Sequence, residues 1–412
     1  MRKVFMLLKL KAKVAKMFII RSLLLIISCL LFPYMAIAAD QNFQLHGFIS
    51  QGVIDVEGSN FVNDDESLSA ELTELGLNGS YQLNSTLRLT GQVVYLDGGN
   101  RYTKGIRVDY ALLDWSVYDS PGWQTNIYLG RFKNNHWLYS SSRDVPFARP
   151  SIILPQSVYF DGFRDIAVGG DGAALKLSYS DDSYGNFDFN FSYGASNISD
   201  EQAESILSRF AQGKAKQDYD LQASFYWQPA FSSWRFGVSL LDSVFNYRAN
   251  NNFDTFYDGD FTFQFYTMNA LYEGENWEFS GEVHQTRFMT KGFYTPQYDE
   301  APIGQGFYLQ SRYKINNKLT LLARFERFYN DKNDKNGNKL EELSGGLVPE
   351  YFGYHRDTTV GLTYDFSSDI SLRLEYHWFQ GAGRLTPVVL PNPQVNGSKN
   401  WHLWAAQLMY WF

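Results

Sequence analysis

Leu372-Arg373-Leu374-Glu375-Tyr376-His377-Trp378 alternates without a break between apolar and charged or polar side chains. A period of two puts each set on its own face of a β-strand, where a helix would mix them. The same pattern recurs far upstream. Phe187, Phe189, Phe191 and Tyr193 alternate with Asp188, Asn190 and Ser192, and Leu221, Ala223, Phe225 and Trp227 with Gln222, Ser224 and Tyr226. One face is rich in charge and suits water, while the other suits hydrocarbon. That division is what a transmembrane β-barrel with a wet lumen requires.

Working outward from these stretches, alternation predicts strands at 43–55, 69–82, 86–97, 106–118, 122–132, 169–180, 185–195 and 218–228. It continues at 233–247, 260–273, 276–289, 304–315, 317–330, 356–366, 369–381 and 400–412. The total is about sixteen, an even number, as expected for a bacterial antiparallel barrel. In 260–273 the apolar set changes face, which suggests a β-bulge. Short turns at Leu83–Ser85, Asp119–Pro121, Asp181–Tyr184, Gln228–Ser232, Gly274–Asn276, around Asn316 and at Ser367–Ser368 alternate with long polar connections. Pro121, Pro146, Pro150, Pro155, Pro229, Pro296, Pro302, Pro349, Pro387, Pro391 and Pro393 all fall between the predicted strands, because proline has no amide hydrogen for the ladder. Trp115, Trp123, Trp227, Trp234, Trp277 and Trp411 fall at strand ends next to short turns, and are read as an interfacial girdle.

The first residues carry Arg2, Lys3, Lys9, Lys11, Lys13, Lys16 and Arg21, followed by an apolar run from Ser22 to Phe32 and by Ala36-Ile37-Ala38-Ala39. Residues 1–39 therefore read as a secretory signal peptide, cleaved after Ala38 or Ala39, with Met17 an alternative start. The mature part, 40–412, is a single barrel. Cys29 lies in the leader, so the mature chain has no thiol. Removing the leader lowers Lys plus Arg from 36 to 29 against 44 acids, a net charge of −15, which disfavours nucleic acid as a partner.

The connection from Lys133 to Ala167 is too long for a hairpin and too apolar for a solvated loop. It contains RDVPFARPS (Arg143–Ser151), Ile152-Ile153-Leu154-Pro155 and Val158-Tyr159-Phe160-Asp161. The barrel interior is the place where such residues can pack. On this loop, the Gly130-Arg131 strand end and the sixteen-strand plan, the chain resembles the phosphate-selective and related anion porins of bacterial outer membranes. The resemblance implies passive diffusion of small hydrophilic solutes or ions, a constriction formed by residues 133–167, and a homotrimer. It also implies outer-membrane lipid and lipopolysaccharide as surroundings, and no cofactor or metal. The terminal aromatic strand ending at Phe412 resembles the signal read by the barrel assembly machinery.

Constriction candidates are Arg131, Arg143, Asp144, Arg149, Asp161, Arg164 and Asp165. Their arginines either face the passing ion or pair with the aspartates to hold the loop on the wall. By the alternation, Arg88, Lys176, Arg235, Glu278, Glu282, Arg312, Arg324, Glu326, Arg373 and Glu375 belong to the pore wall. A wall of mixed sign departs from the basic ladder of the anion-selective porins, so phosphate specificity is not implied. No G-x-S-x-G, H-E-x-x-H or CxxC occurs in the mature chain, which leaves an enzyme reading without a motif. DKNDKNGN (Asp331–Asn338) fails as a calcium loop, because alignment on Gly337 puts Lys332 and Leu343 at ligand positions. The reading from a different class is a closed barrel serving as an adhesin or receptor. Asn197–Ala215 carries a capping-box pair, Ser199 and Gln202, and a helical apolar face of Ala203, Ile206, Leu207 and Phe210, fitting a small helix packed on its own loop or on a neighbouring subunit.

Overall fold

The computed structural model describes residues 42–412, except 66, 165–168, 209, 251–253, 388–390 and 395. The leader expected at 1–39 and the candidate Asp165 lie outside the described residues. Sixteen wall strands are described. The first eight are β1 (Phe43–Glu57), β2 (Thr73–Gln82), β3 (Leu87–Asp97), β4 (Gly105–Ser120), β5 (Trp123–Lys133), β6 (Gly169–Asp181), β7 (Gly185–Ala195) and β8 (Lys214–Gln228). The others are β9 (Trp234–Arg248), β10 (Gly259–Glu273), β11 (Trp277–Gly292), β12 (Ile303–Lys314), β13 (Leu319–Tyr329), β14 (Tyr354–Asp365), β15 (Ile370–Gln380) and β16 (Asn400–Trp411). Each pairs with its sequence neighbours, and β1 pairs antiparallel with β16 from Phe48↔Trp411 to Glu57↔His402, so the sheet closes on itself. Closure leaves no wall strand with an unpaired edge, as a chain crossing hydrocarbon requires.

The side-chain period places the faces as alternation predicts. Leu374, Tyr376 and Trp378 are exposed on the outside of β15, while Ser371, Arg373, Glu375, His377 and Phe379 are buried inside. Trp115, Trp123, Trp227, Trp234 and Trp277 are exposed outward at the end with short turns. Trp411 departs from that girdle. It shares the inner face of β16 with Gln407 and Met409, and stacks on Phe147 with centroids 4.8 Å apart.

No bulge interrupts β10. Its register with β9 and with β11 is continuous, and Phe261, Phe263 and Phe265 share the inner face while Tyr266 and Met268 face out. The apolar residues change face because the inner face is itself apolar there. Phe261 packs with Phe245, Tyr247 and Phe293, and Phe265 packs with Trp137, Leu154 and Tyr159. Bulges occur elsewhere, at Gln92/Val93, Ser116/Tyr118 and Gln217/Tyr219. The first of these leaves Asp109 unpaired in the ladder, aimed inward at Gln92 and Lys133.

Short helix α1 (Asp200–Ile206) has the expected capping box, Ser199 with Gln202, and buries Ala203 and, at its C-cap, Leu207 against Phe245, Tyr247 and Phe261. It thus packs on its own barrel. It ends at Ile206, earlier than the apolar spacing suggested, and Phe210 is exposed.

Leu374 is 39% exposed on the outer face, and arginine there would meet hydrocarbon. Leu374→Arg should reduce folding stability in vesicles by about 2–4 kcal/mol if the site is near the bilayer midplane. Asn190→Leu, on the half-buried inner face of β7, should cost far less in the same urea titration. Equal losses would contradict the faces assigned.

Candidate functional site

The third loop runs from β5 to β6 through the interior, and every residue from Arg149 to Asp161 is buried. Buried backbone amides and carbonyls need partners, and a loop without regular structure cannot supply them all to itself. The inner wall supplies them. Glu375 accepts from the amides of Ile152 (2.5 Å) and Ile153 (3.2 Å), Glu326 from Ser157 (2.7 Å), and Glu282 from Leu138 (3.2 Å). Tyr159 donates its hydroxyl to Glu282, as does Tyr308 at 2.9 Å. Arg373 donates to the carbonyls of Pro146 (2.8 Å) and Phe147 (3.3 Å), and Arg324 to the Ser151 hydroxyl (3.0 Å). Toward β7–β9, Asn134 donates to Asp220 (2.9 Å) and accepts from Ser192 (3.1 Å), while Ser239 donates to the His136 carbonyl.

Most of the constriction candidates form a second network inside the loop. Arg143 donates to Asp161 (2.8 Å) and to the carbonyls of Tyr159 and Phe160. Arg149 spans both oxygens of Glu74 on β2, at 3.0 and 2.6 Å, with side chains 4% and 1% exposed. Arg164 pairs with Asp144, and Lys133 bridges Asp144 and Asp109 at 2.8 Å each. Burial works to raise the Asp144 carboxyl, but the charges of Arg164 and Lys133 outweigh it and hold it well below the carboxylate range. A depressed carboxylate contributes stability present above its unfolded value and lost only as pH falls through the folded one, so this contact persists in mild acid. Burial also pushes His136 down to about 3, leaving its ring neutral.

Arg131 stands apart from this network. Asn126, Tyr128 and Phe132 occupy the inner face of β5, so Arg131 points outward and pairs with Asp171 at 2.7 Å, the two side chains 37% and 46% exposed. Its inclusion rested on the loop's resemblance, and the period of its own strand places it on the opposite face.

The wall candidates divide into two groups. Glu282, Arg324, Glu326, Arg373 and Glu375 are buried beneath the third loop as its hydrogen-bond partners. Arg88, Lys176, Arg235, Glu278 and Arg312 keep water contact in the half of the barrel nearest the short turns. Around them Asp114 accepts from Asn126 (2.6 Å), Asp188 from Ser178 (2.7 Å), and Glu278 pairs with Arg312 (2.7 Å). Lys176 lies over the Tyr128 ring and Arg235 over Tyr226. Sequence reasoning missed Glu74, Asp109 and Lys133 as partners of the loop charges. Glu74 was readable as inward on an alternating strand, whereas Asp109 is turned inward by a bulge that leaves no mark in the pattern.

This geometry changes what substitution of Arg149 should do. Removing one partner of a buried ion pair strands the other, a loss of about 3–5 kcal/mol. Arg149→Glu should therefore lower the temperature at which the barrel loses its heat-modifiable migration, rather than leave a folded barrel with altered ion preference. Glu74→Gln combined with Arg149→Met should recover much of the loss. Additive losses would show that the pair does not hold the loop.

No family model and no curated protein matches the sequence. Solved structures do match. An anion-selective porin from Comamonas acidovorans is 13% identical, with TM-score 0.55, over 90% of this chain and 99% of that one. The outer membrane channel DcaP of Acinetobacter baumannii is 13% identical, with TM-score 0.54, over 91% and 99%. OmpT, an outer membrane protein of Vibrio cholerae in trimer form, is 15% identical, with TM-score 0.53, over 90% and 99%. At such identities the likeness is one of architecture, and in architecture this chain is a sixteen-stranded barrel of the kind found in bacterial outer-membrane porins.

Proposed function

We propose that the chain is an outer-membrane diffusion channel for small hydrophilic solutes or ions, without catalytic activity. Its path would follow the wall of β3–β9, and the third loop would form the fixed opposite side. The observation that carries this reading is the hydrated set of charges on that wall: Arg88, Asp114, Lys176, Asp188 and Arg235. A barrel that served only as a scaffold has no need to keep such groups in water between apolar neighbours. Porin architecture supports the outer-membrane setting, and the trimer form of the Vibrio cholerae protein supports a homotrimer here. Export through the cleaved leader, insertion by the assembly machinery and contact with lipopolysaccharide belong to the same proposal.

A closed barrel acting as adhesin or receptor is the second reading. The buried run Arg149–Asp161 favours it, together with the apolar cluster of Ile54, Ile152, Phe379, Leu385 and Trp401 at the loop end.

Planar-bilayer recording separates the two. Cationic and acidic groups share the proposed path, so the native channel should show only weak ion preference. A charge on the path acts within a Debye length, about 8 Å at physiological salt. Lys176→Glu should move the reversal potential toward cation preference with folding unchanged. Refolded barrels that insert but never conduct would overturn the channel reading in favour of the closed one.

A further inference from the structure

The outer face at the loop end carries a feature that the lumen does not explain. Arg327 on β13 and Arg356 on β14 stand directly opposite each other in the ladder, both pointing outward. Like charges in opposed positions repel. Two other outward arginines have carboxylate partners, Arg131 with Asp171 and Arg248 with Asp260. Arg327 and Arg356 have no carboxylate partner among the described residues. Their guanidinium groups are held in place by neutral neighbours. Arg327 lies over Phe325 at 4.9 Å, and Arg356 lies over Tyr354 at 4.5 Å while donating to Gln380 at 2.8 Å. The Nε of Arg356 is buried without a hydrogen-bond partner. Nearby, Lys335 reaches back over the Tyr329 ring at 5.4 Å.

Their height is informative. Eight residues separate Arg356 from Tyr364 at the opposite end of β14. At about 3.3 Å per residue and a tilt near 40°, that is roughly 20 Å, close to the outer margin of an apolar band about 25 Å tall. A depression of about 790 Å³ on the outer surface reaches Phe307, the ladder partner of Arg327, together with Tyr329 and Lys335, though neither arginine lines it. Val238, Met268, Val283 and Phe307 contribute apolar side chains to it, and Gln305 and Lys335 lie toward its loop end.

We propose that Arg327, Arg356 and Lys335 bind the phosphate of a phosphorylated glycolipid of the outer leaflet, with an acyl chain in the adjoining depression. The proposal rests on the outer-membrane reading, but not on conduction. A phosphate between the two guanidinium groups converts their repulsion into paired, charge-assisted hydrogen bonds, and the aromatic rings beneath fix the forks in place. Charge complementarity selects this occupant: the site is cationic, at headgroup depth, and continuous with apolar surface.

Native mass spectrometry of the refolded barrel in mild detergent, titrated with diphosphoryl lipid A, tests it. Arg327→Gln with Arg356→Gln should weaken lipid A retention by about tenfold or more, whereas Arg131→Gln should leave it unchanged. Heat-modifiable migration reports folding, and the single Arg327→Gln variant should show an intermediate loss if the double variant folds poorly. Equal retention in native and substituted barrels would overturn the site. Displacement of the lipid by inorganic phosphate alone would overturn the lipid assignment. Disulfide-linked pairs formed by Phe325→Cys in membranes would show that a second copy of the chain covers this face, and would overturn it as well. A barrel that binds lipid A through these arginines yet never conducts would uphold this proposal while the channel reading falls.

Discussion

A loop that folds into a barrel carries its peptide groups out of water, and every buried amide or carbonyl then needs a partner. Here many of the partners are carboxyl and guanidinium groups on the inner wall. Glu282, Glu326 and Glu375 receive loop amides from three adjacent parts of the sheet, and Arg373 meets loop carbonyls. The low dielectric beneath the loop strengthens such hydrogen bonds and makes an unpartnered loop group costly. The position of the third loop, the closure of the apolar clusters around it and the side on which water remains all depend on this docking.

That arrangement divides the charges of the lumen by task. Beneath the loop, acids and bases are consumed by structure and are shielded from water. Across from it, on β3–β9, charges of both signs stay hydrated at the end nearest the short turns. Within the loop itself, Arg143, Arg149 and Arg164 are neutralised by Asp161, Glu74 and Asp144. Basic residues in a constriction-like loop therefore say little about selectivity until their partners are known.

The barrel was legible because alternation is enforced on every strand by two solvents of opposite character. A one-residue slip on β15 would bring Arg373 and Glu375 into hydrocarbon, so its faces could be read directly. The reading weakened where the loop half of the lumen is apolar. Phe261 and Phe265 on β10 looked like a change of face because a wet interior was assumed along the whole strand. Trp411 misled for a different reason: at the short-turn end it faces inward and stacks on Phe147 of the third loop. The arginines of the third loop were found from sequence, but the wall partner Glu74 was not, since it lies 75 residues from Arg149 and meets it only because the loop folds inward. Asp109 depends on a bulge, and bulges of this kind have no residue signature.

The third loop is fixed against β11–β15, with its first residues also held on β7–β9, and leaves the short-turn half of the β3–β9 wall to water. Because the only cysteine of the chain is Cys29, single cysteines can be placed on a Cys29→Ser background. The direct measurement is the rate at which a charged, membrane-impermeant thiol reagent labels such cysteines in the folded barrel. Cysteines replacing Asp114, Lys176 and Asp188 should react rapidly, and those replacing Glu282, Glu326 and Glu375 should react only after unfolding. Rapid labelling beneath the loop, at rates matching the β3–β9 positions, would contradict the account.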